Sequence, residues 1–277
     1  MPPARLALYA ATAGVLAVTG FALLRHPPPL GCASLLLAGY LGLLLAGVFV
    51  LRLRVFADAV VRGPRDARGV ALTFDDGPHP RWTPRILELL AERKATATFF
   101  VVGRKAEEHP EIVRAIAAAG HAVGLHSYAH DRLFALRGPR RVTDDLRRGI
   151  AALETALGER PRLFRPPIGH TNPTIARAVD ALGLIMVGWT VGGRDGIAIA
   201  RPAEVVARVR RSLRDGAIVL LHDAPERGER EPAAVRALPG ILSALAEKQL
   251  DVVPLAGWIP ADETAGDPQP GAAESTT

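Results

Sequence analysis

The chain has one cysteine, Cys32, in 277 residues. No disulfide framework can form within it, and cysteine usage says nothing about the redox compartment. Cys32 lies in an apolar stretch and is expected to be a packing residue. Aromatic residues make up only 5% of the sequence, and no basic block is interleaved with them. That absence excludes nucleic acid as an expected partner. Lysine is scarce, so the formal net charge of +6 is carried almost entirely by arginine. No internal repeat is found.

What is plentiful is apolar. Hydrophobic residues reach 49% and mean hydropathy is +0.17, both unusual for a wholly soluble protein. Two runs explain this, at 6–24 and 30–51, separated by Arg25-His26-Pro27-Pro28-Pro29. Each holds roughly the 20 residues that a helix needs to cross a bilayer. The first is long for the apolar core of a cleaved signal, and no small-x-small site follows it. A two-helix transmembrane hairpin over 1–54 is therefore expected, with both termini on one side. Membrane lipid is an expected partner of the basic domain behind it. Arg5, Arg52, Arg54, Arg62, Arg65 and Arg68 flank the terminal side, against Arg25 alone in the short loop. The positive-inside rule, read literally, puts the large domain in the cytoplasm.

A linker is expected over 55–68. From residue 69 short apolar runs alternate with amphipathic helices. Strands are expected at 69–76, 95–102, 121–126, 163–165, 184–191, 217–223 and 250–255. Helices are expected at 107–119, 202–213 and 232–248. Three more are signalled by Thr83-Pro84, by Thr143 with Asp144 and Asp145, and by Asn172-Pro173. About seven alternations imply an α/β fold, a distorted (β/α) barrel of parallel strands over 69–258. The tail at 259–277 has the composition of a disordered segment.

Barrel enzymes carry their chemistry at the C-terminal strand ends. The first strand ends in Asp75-Asp76-Gly77-Pro78. Neighbouring strand residues point to opposite faces. The two carboxylates can share a site only if the strand bends, and Gly77 permits a bend. Taken alone, the pair reads first as an ordinary solvated turn. The third strand leads into His126-Ser127-Tyr128-Ala129-His130. Both histidines can reach one cation if the chain turns after His126, and two imidazoles with a carboxylate make a common catalytic zinc shell. Arg165-Pro166-Pro167-Ile168-Gly169 ends the fourth strand, and its arginine can hold a carboxylate ionised. Trp189 and the glycine-rich Gly192-Gly193-Arg194-Asp195-Gly196 follow the fifth. His222 closes an apolar strand, as either a core residue or a proton donor. His79, His109 and His121 read as structural or solvated, while His170 lies close enough to the third motif to meet substrate. Trp189 suits core or sugar platform equally.

These motifs, in this order, resemble the polysaccharide deacetylase family, the NodB-type domain of carbohydrate esterase family four. Thr73–Pro78 corresponds to its first motif, His126–His130 to the second and Arg165–Gly169 to the third. Asp195 stands at the fourth, and Leu221-His222 at the fifth. The resemblance implies metal binding by Asp76, His126 and His130, with Zn2+ the expected ion. It implies Asp75 as base and His222 as acid. Arg165 would orient Asp75 and keep it ionised, and Asp195 would support charged His222. Pro167, Ile168, Leu221 and Trp189 would meet substrate, Leu221 in the acyl pocket, and the Ile168 N–H would steady an oxyanion. The sequence departs from the family pattern at Gly196, Ile168 and Leu125, where tryptophan, an aromatic and asparagine are frequent. The first two alter the groove wall, which favours a smaller or lipid-linked sugar over a long polymer.

The expected function is a membrane-anchored, metal-dependent hydrolase. It would remove N-acetyl groups from an amino sugar of a cell-envelope or lipid-linked glycan. Deformylation or deacylation of a polyprenyl-linked sugar is the enzymatic alternative. An inactive membrane-tethered glycan-binding module is the alternative of another class. Envelope deacetylases work outside the cytoplasm, so the resemblance puts the catalytic domain there, against the arginine count.

Overall fold

The computed structural model describes residues 1–25, 27–197 and 199–259. The tail expected at 259–277 therefore lies, from residue 260 onward, outside the described residues. Helices α1 (Pro3–Leu24) and α2 (Leu30–Phe49) form the N-terminal hairpin. At 1.5 Å per residue, each is about 30 Å long or slightly more, the thickness of a bilayer core. Both are candidate spans, and almost nothing of either is buried by protein. Thr12 Oγ1 and Tyr40 Oη lie 3.2 Å apart between them. Cys32 is exposed on α2, so it is not a packing residue among the described residues.

Among the described residues eight parallel strands follow: β1 (Ala59–Val60), β2 (Val70–Asp75), β3 (Thr98–Val101), β4 (Ala122–Leu125), β5 (Leu163–Phe164), β6 (Ile185–Val187), β7 (Val191–Gly192) and β8 (Ala217–His222). Their order is β1-β6-β5-β4-β3-β2-β8-β7. The short link between β6 and β7 shows that this sheet curls. Six inter-strand steps of about 4.8 Å separate them, roughly 29 Å if the sheet were flat. Four residues join Val187 to Val191, and they reach at most about 14 Å. The two edges must therefore approach each other, giving the expected distorted barrel.

The segment expected as a linker supplies β1, which pairs with β6. The expected strand at 184–191 is two strands, because the chain crosses from one sheet edge to the other at 188–190. The expected strand at 250–255 makes only a single bridge, Val70 to Val252.

Helices α3 (Trp82–Glu92), α4 (Gly103–Glu108), α5 (Pro110–Ala118), α6 (Pro139–Leu157), α7 (Pro173–Ala181), α8 (Pro202–Ser212) and α9 (Ala233–Glu247) complete the domain. Asn172 caps α7 as expected, its Oδ1 accepting from the Ile175 N–H. Thr83 does not cap α3, which begins a residue earlier. Nor does Thr143 open α6, which starts at Pro139 behind Gly138. The helix expected at 107–119 is two, broken at His109-Pro110 because proline cannot donate to the preceding turn.

Alternation along the strands divides the core in two. Val70, Leu72 and Phe74 of β2 pack with the helices in the larger cluster. Ala71 packs with Phe100, Val187 and Ile218 in a smaller cluster. Thr73 and Asp75 share the face of Ala71, since side chains repeat every second residue. That face carries the polar residues described next.

Candidate active site

Asp75 is the last residue of β2 and is buried. Arg165, fully buried behind β5, donates through Nη1 to Asp75 Oδ1 at 2.6 Å and to Thr73 Oγ1 at 2.8 Å. Its Nη2 donates to the Gly188 carbonyl at 3.0 Å. The guanidinium also lies 4.1 Å from the centre of the Phe100 ring. Burial pulls the Arg165 pKa down, and the Asp75 carboxylate opposes that. A buried arginine with this many acceptors is a fixed part of the site.

Asp76 follows immediately, with φ at +75°. The bend anticipated at Gly77 is thus made by Asp76 itself, and it turns both carboxylates to the same rim. Gly77 is needed for room instead: a Cβ there would collide with Asp223 Oδ2. Asp76 Oδ1 lies 3.5 Å from His126 Nε2 and 3.1 Å from His130 Nε2. Burial acts to raise the Asp76 carboxyl, but the two imidazoles outweigh it and hold it well below the ordinary carboxylate range.

The two histidines meet because the chain turns sharply after β4. Ser127 and His130 take left-handed conformations, and the His130 N–H donates to Ser127 Oγ at 2.9 Å. The imidazole centres come within 4.9 Å. The turn is held from α6, where Asp145 accepts from the N–H groups of Tyr128 at 2.8 Å and Ala129 at 3.2 Å. Burial raises the Asp145 pKa, against those two bonds. Asp145 reads in sequence as a first-turn helix charge, and nothing local reveals its hold on the histidine turn.

One ligand atom each from Asp76, His126 and His130 can lie within 4.8 Å of the others. His126 Nδ1 sits 2.8 Å from the Arg165 carbonyl. A carbonyl only accepts, so Nδ1 is the donor in that bond and Nε2 is the nitrogen turned toward Asp76. An orienting carbonyl behind a histidine is a recurring feature of metal sites. The donor set of two nitrogens and one oxygen therefore fits a divalent cation.

His222 ends β8 and is the register partner of Asp75 across β2 and β8. Paired residues of parallel strands point to one face, so the carboxylate and the imidazole stand side by side at the rim. Asp195, fully buried, accepts from the His222 backbone N–H at 2.7 Å and places Oδ1 3.2 Å from its Nδ1. Burial acts to lower the His222 pKa, but Asp195 outweighs it and pushes it up to about 10. The imidazole side chain remains one-fifth exposed. Gly196 lies against the ring, where a Cβ would come within 3.0 Å of Nε2. Asp223, next in sequence, accepts from Thr83 Oγ1 at 2.5 Å, and burial pushes its carboxyl up to about 7.

The remaining expected residues are placed as follows. Pro167 is buried and Ile168 is 45% exposed with φ at +50°. The Ile168 N–H has no acceptor among the described residues. Trp189 closes over Gly169 and stands 5.7 Å from the Arg165 guanidinium. Leu221 is fully buried in the outer core under Gly193. The reason is strand parity: Leu220, not Leu221, shares the face of His222 and is partly exposed. Sequence reasoning also missed Lys105. Its Nζ donates to the Asp76 carbonyl at 2.7 Å and the Pro225 carbonyl at 3.0 Å, tying the two strand-end loops together. His79 and His121 are buried and accept backbone N–H groups from Arg81 and Ala97. His170 packs edge-on against Phe49 of α2, with ring centres 4.7 Å apart.

A curled parallel sheet with a His-His-Asp cluster and a carboxylate–imidazole pair at one rim is the architecture of an α/β-barrel hydrolase. The profile described as polysaccharide deacetylase matches residues 62–187. A chitooligosaccharide deacetylase from Bradyrhizobium sp. (strain ANU 289) is 36% identical over 199 residues, covering 68% of this chain and 89% of that protein. A peptidoglycan-N-acetylglucosamine deacetylase from Bacillus cereus is 34% identical over 182 residues, 64% of this chain and 83% of that one. Among solved structures, a family 4 pseudoenzyme from Bacillus anthracis superposes with a TM-score of 0.66 at 27% identity, covering 74% of this chain and 70% of that one. The chain belongs to the polysaccharide deacetylase family, hydrolases that cleave the amide bond of acetylated amino sugars.

Proposed function

We propose that the protein is a membrane-anchored, metal-dependent hydrolase that removes N-acetyl groups from an amino sugar of a cell-envelope glycan. One observation carries this reading: Asp75 and His222 are register partners on one face, each with its own opposite charge. Base and acid thus stand beside each other, next to the Asp76–His126–His130 cluster. The pseudoenzyme neighbour shows that the fold does not guarantee activity, and here both proton-transfer positions are filled.

Asp76, His126 and His130 would hold one divalent ion, for which zinc suits the donor set. When bound, the ion supplies Lewis acidity toward water and the acyl oxygen. Asp75 Oδ2, the oxygen not taken by Arg165, accepts the proton of the attacking water. His222, charged at neutral pH, gives its proton to the leaving nitrogen as the carbon–nitrogen bond breaks. Separating the two tasks suits general acid–base catalysis. The Ile168 N–H donates to the oxygen that gains charge, and such donors contribute about 3 kcal/mol. Leu220 takes the place beside His222 expected of Leu221 and lines the acyl pocket. Acetate and a free amine leave.

The hairpin at 1–54 supports anchoring, with the catalytic domain running from β1, about 59–258. A cell-envelope glycan as substrate puts that domain outside the cytoplasm in this reading. The test is Asp75→Asn. Acetate release from an acetylated glucosamine oligosaccharide is expected to fall at least about 10³-fold while one metal ion per chain is retained. Turnover near that of the unaltered protein would remove Asp75 as the base.

A further inference from the structure

The end of α2 is built into the mouth of the site. The Thr171 N–H donates to the Val48 carbonyl at 3.1 Å. Next to Val48, the ring of Phe49 meets His170. Phe49 to Arg52, with Gly169, Trp189 and Thr190, line a cavity of about 180 Å³. The hairpin is tied at its other chain end too: Arg5 donates to the carbonyls of Val55 and Arg54 and pairs with Asp58. Both hairpin ends thus hold the domain directly, with no flexible spacer.

This fixes the height of the site above a bilayer. Phe49 is the last residue of a helix that spans the hydrocarbon core, and a headgroup layer adds only about 5–8 Å. Arg165, bonded to Asp75, is five residues from His170, and five residues reach at most about 18 Å. With the arginine side chain adding about 7 Å, the reacting carboxylate therefore lies within about 25 Å of the end of α2.

The surface around the mouth matches that position. Asn172 Nδ2 donates to the Ala135 carbonyl at 2.6 Å, joining the third-motif turn to the short helix Phe134–Leu136. Along this path Phe49, Ile168, Leu133 and Leu136 are 55%, 45%, 54% and 79% exposed. Four large apolar side chains in contiguous segments, continuous with the spans, are costly in water and favourable in a bilayer interface. Beside them, a shallow groove of about 560 Å³ is lined by Leu136, Arg137, Arg140 and Arg141. Arg137 is paired with Asp131, and a hydrocarbon wall next to the guanidinium groups of Arg140 and Arg141 suits a phosphate joined to a lipid chain.

We propose that the substrate is membrane-borne: an acetylated amino sugar joined through phosphate to a long hydrocarbon chain. It would enter between the Leu133–Leu136 edge and the end of α2. The inference rests on the deacetylase reading and names the substrate class of that site.

The full chain, loaded with zinc in nanodiscs, is offered two substrates. One is an N-acetylglucosamine 1-phosphate ester of a long-chain prenol in the same discs, and the other a soluble N-acetylglucosamine oligosaccharide. The lipid-borne sugar is expected to release acetate with kcat/KM at least about tenfold higher. Leu133→Ser with Leu136→Ser, and separately Arg140→Glu with Arg141→Glu, should each erase most of that preference and leave oligosaccharide turnover unchanged. Equal or better turnover of the oligosaccharide overturns the inference and leaves the deacetylase reading standing. So does a preference that survives both pairs of substitutions. Release of acetate from neither substrate overturns the deacetylase reading, and this inference falls with it.

Discussion

Asp75 and Asp76 are adjacent carboxylates with unlike neighbours. One is bound by a buried guanidinium, the other faces two imidazoles. The positive φ of Asp76 is what lets both reach one rim. The same logic of unlike partners governs His222. Its raised pKa comes from Asp195 overcoming burial. Asp195→Asn removes that charge and leaves the burial, so the imidazole loses its proton at lower pH. The alkaline limb of kcat/KM against pH is expected to move down by at least about one unit. A limb that stays in place would remove Asp195 from this role. In stability terms, the charged pair contributes fully below about pH 6.5 and is lost as pH rises through about 10. Unfolding of the Asp195→Asn variant should therefore differ most from the unaltered protein below that window.

At the scale of elements, the histidine turn depends on a helix that does not contain it. Asp145 of α6 accepts two N–H groups from the turn. Asp145→Ala is expected to weaken metal binding about 10–100-fold, the usual cost of losing an outer partner. The fold should persist, which far-ultraviolet circular dichroism and a competitive zinc titration would separate. Unchanged zinc affinity would show that the turn holds itself.

Most elements were legible where local signals agreed. Apolar runs marked β2 and β8, and Asn172-Pro173 marked the start of α7. Misread elements were those decided by distant contacts. Thr83 looks like a cap but spends its hydroxyl on Asp223, 140 residues away. The run 184–191 looks like one strand because its apolar pattern does not reveal that it must change sheet edge. Period-two alternation from His222 puts Leu220, not Leu221, on its face of β8.

For the whole molecule, the hairpin and domain form a continuous unit through Arg5, Val48 and Phe49. Arginines on the terminal side argue for a cytoplasmic domain, and the proposed cell-envelope substrate argues for the opposite side. Because both hairpin ends lie on the domain side, one reporter suffices. Alkaline phosphatase fused after Thr277 is expected to be active, as it is only outside the cytoplasm. An inactive phosphatase fusion, with a cytoplasmic reporter active in its place, would reverse the orientation.

By itself the sequence determined the class of chemistry and the parallel α/β architecture. Both rest on local order: apolar runs of fixed length, and polar residues placed where those runs stop. The tertiary structure alone decided which of those residues meet. Asp75 and Asp76 share a rim because the backbone reverses at Asp76. Asp75 pairs with His222 because β2 and β8, some 147 residues apart, lie in register. The site stands at the end of α2 because the third-motif turn bonds to Val48. Contacts between distant segments depend on how the whole sheet curls, and no local pattern encodes that.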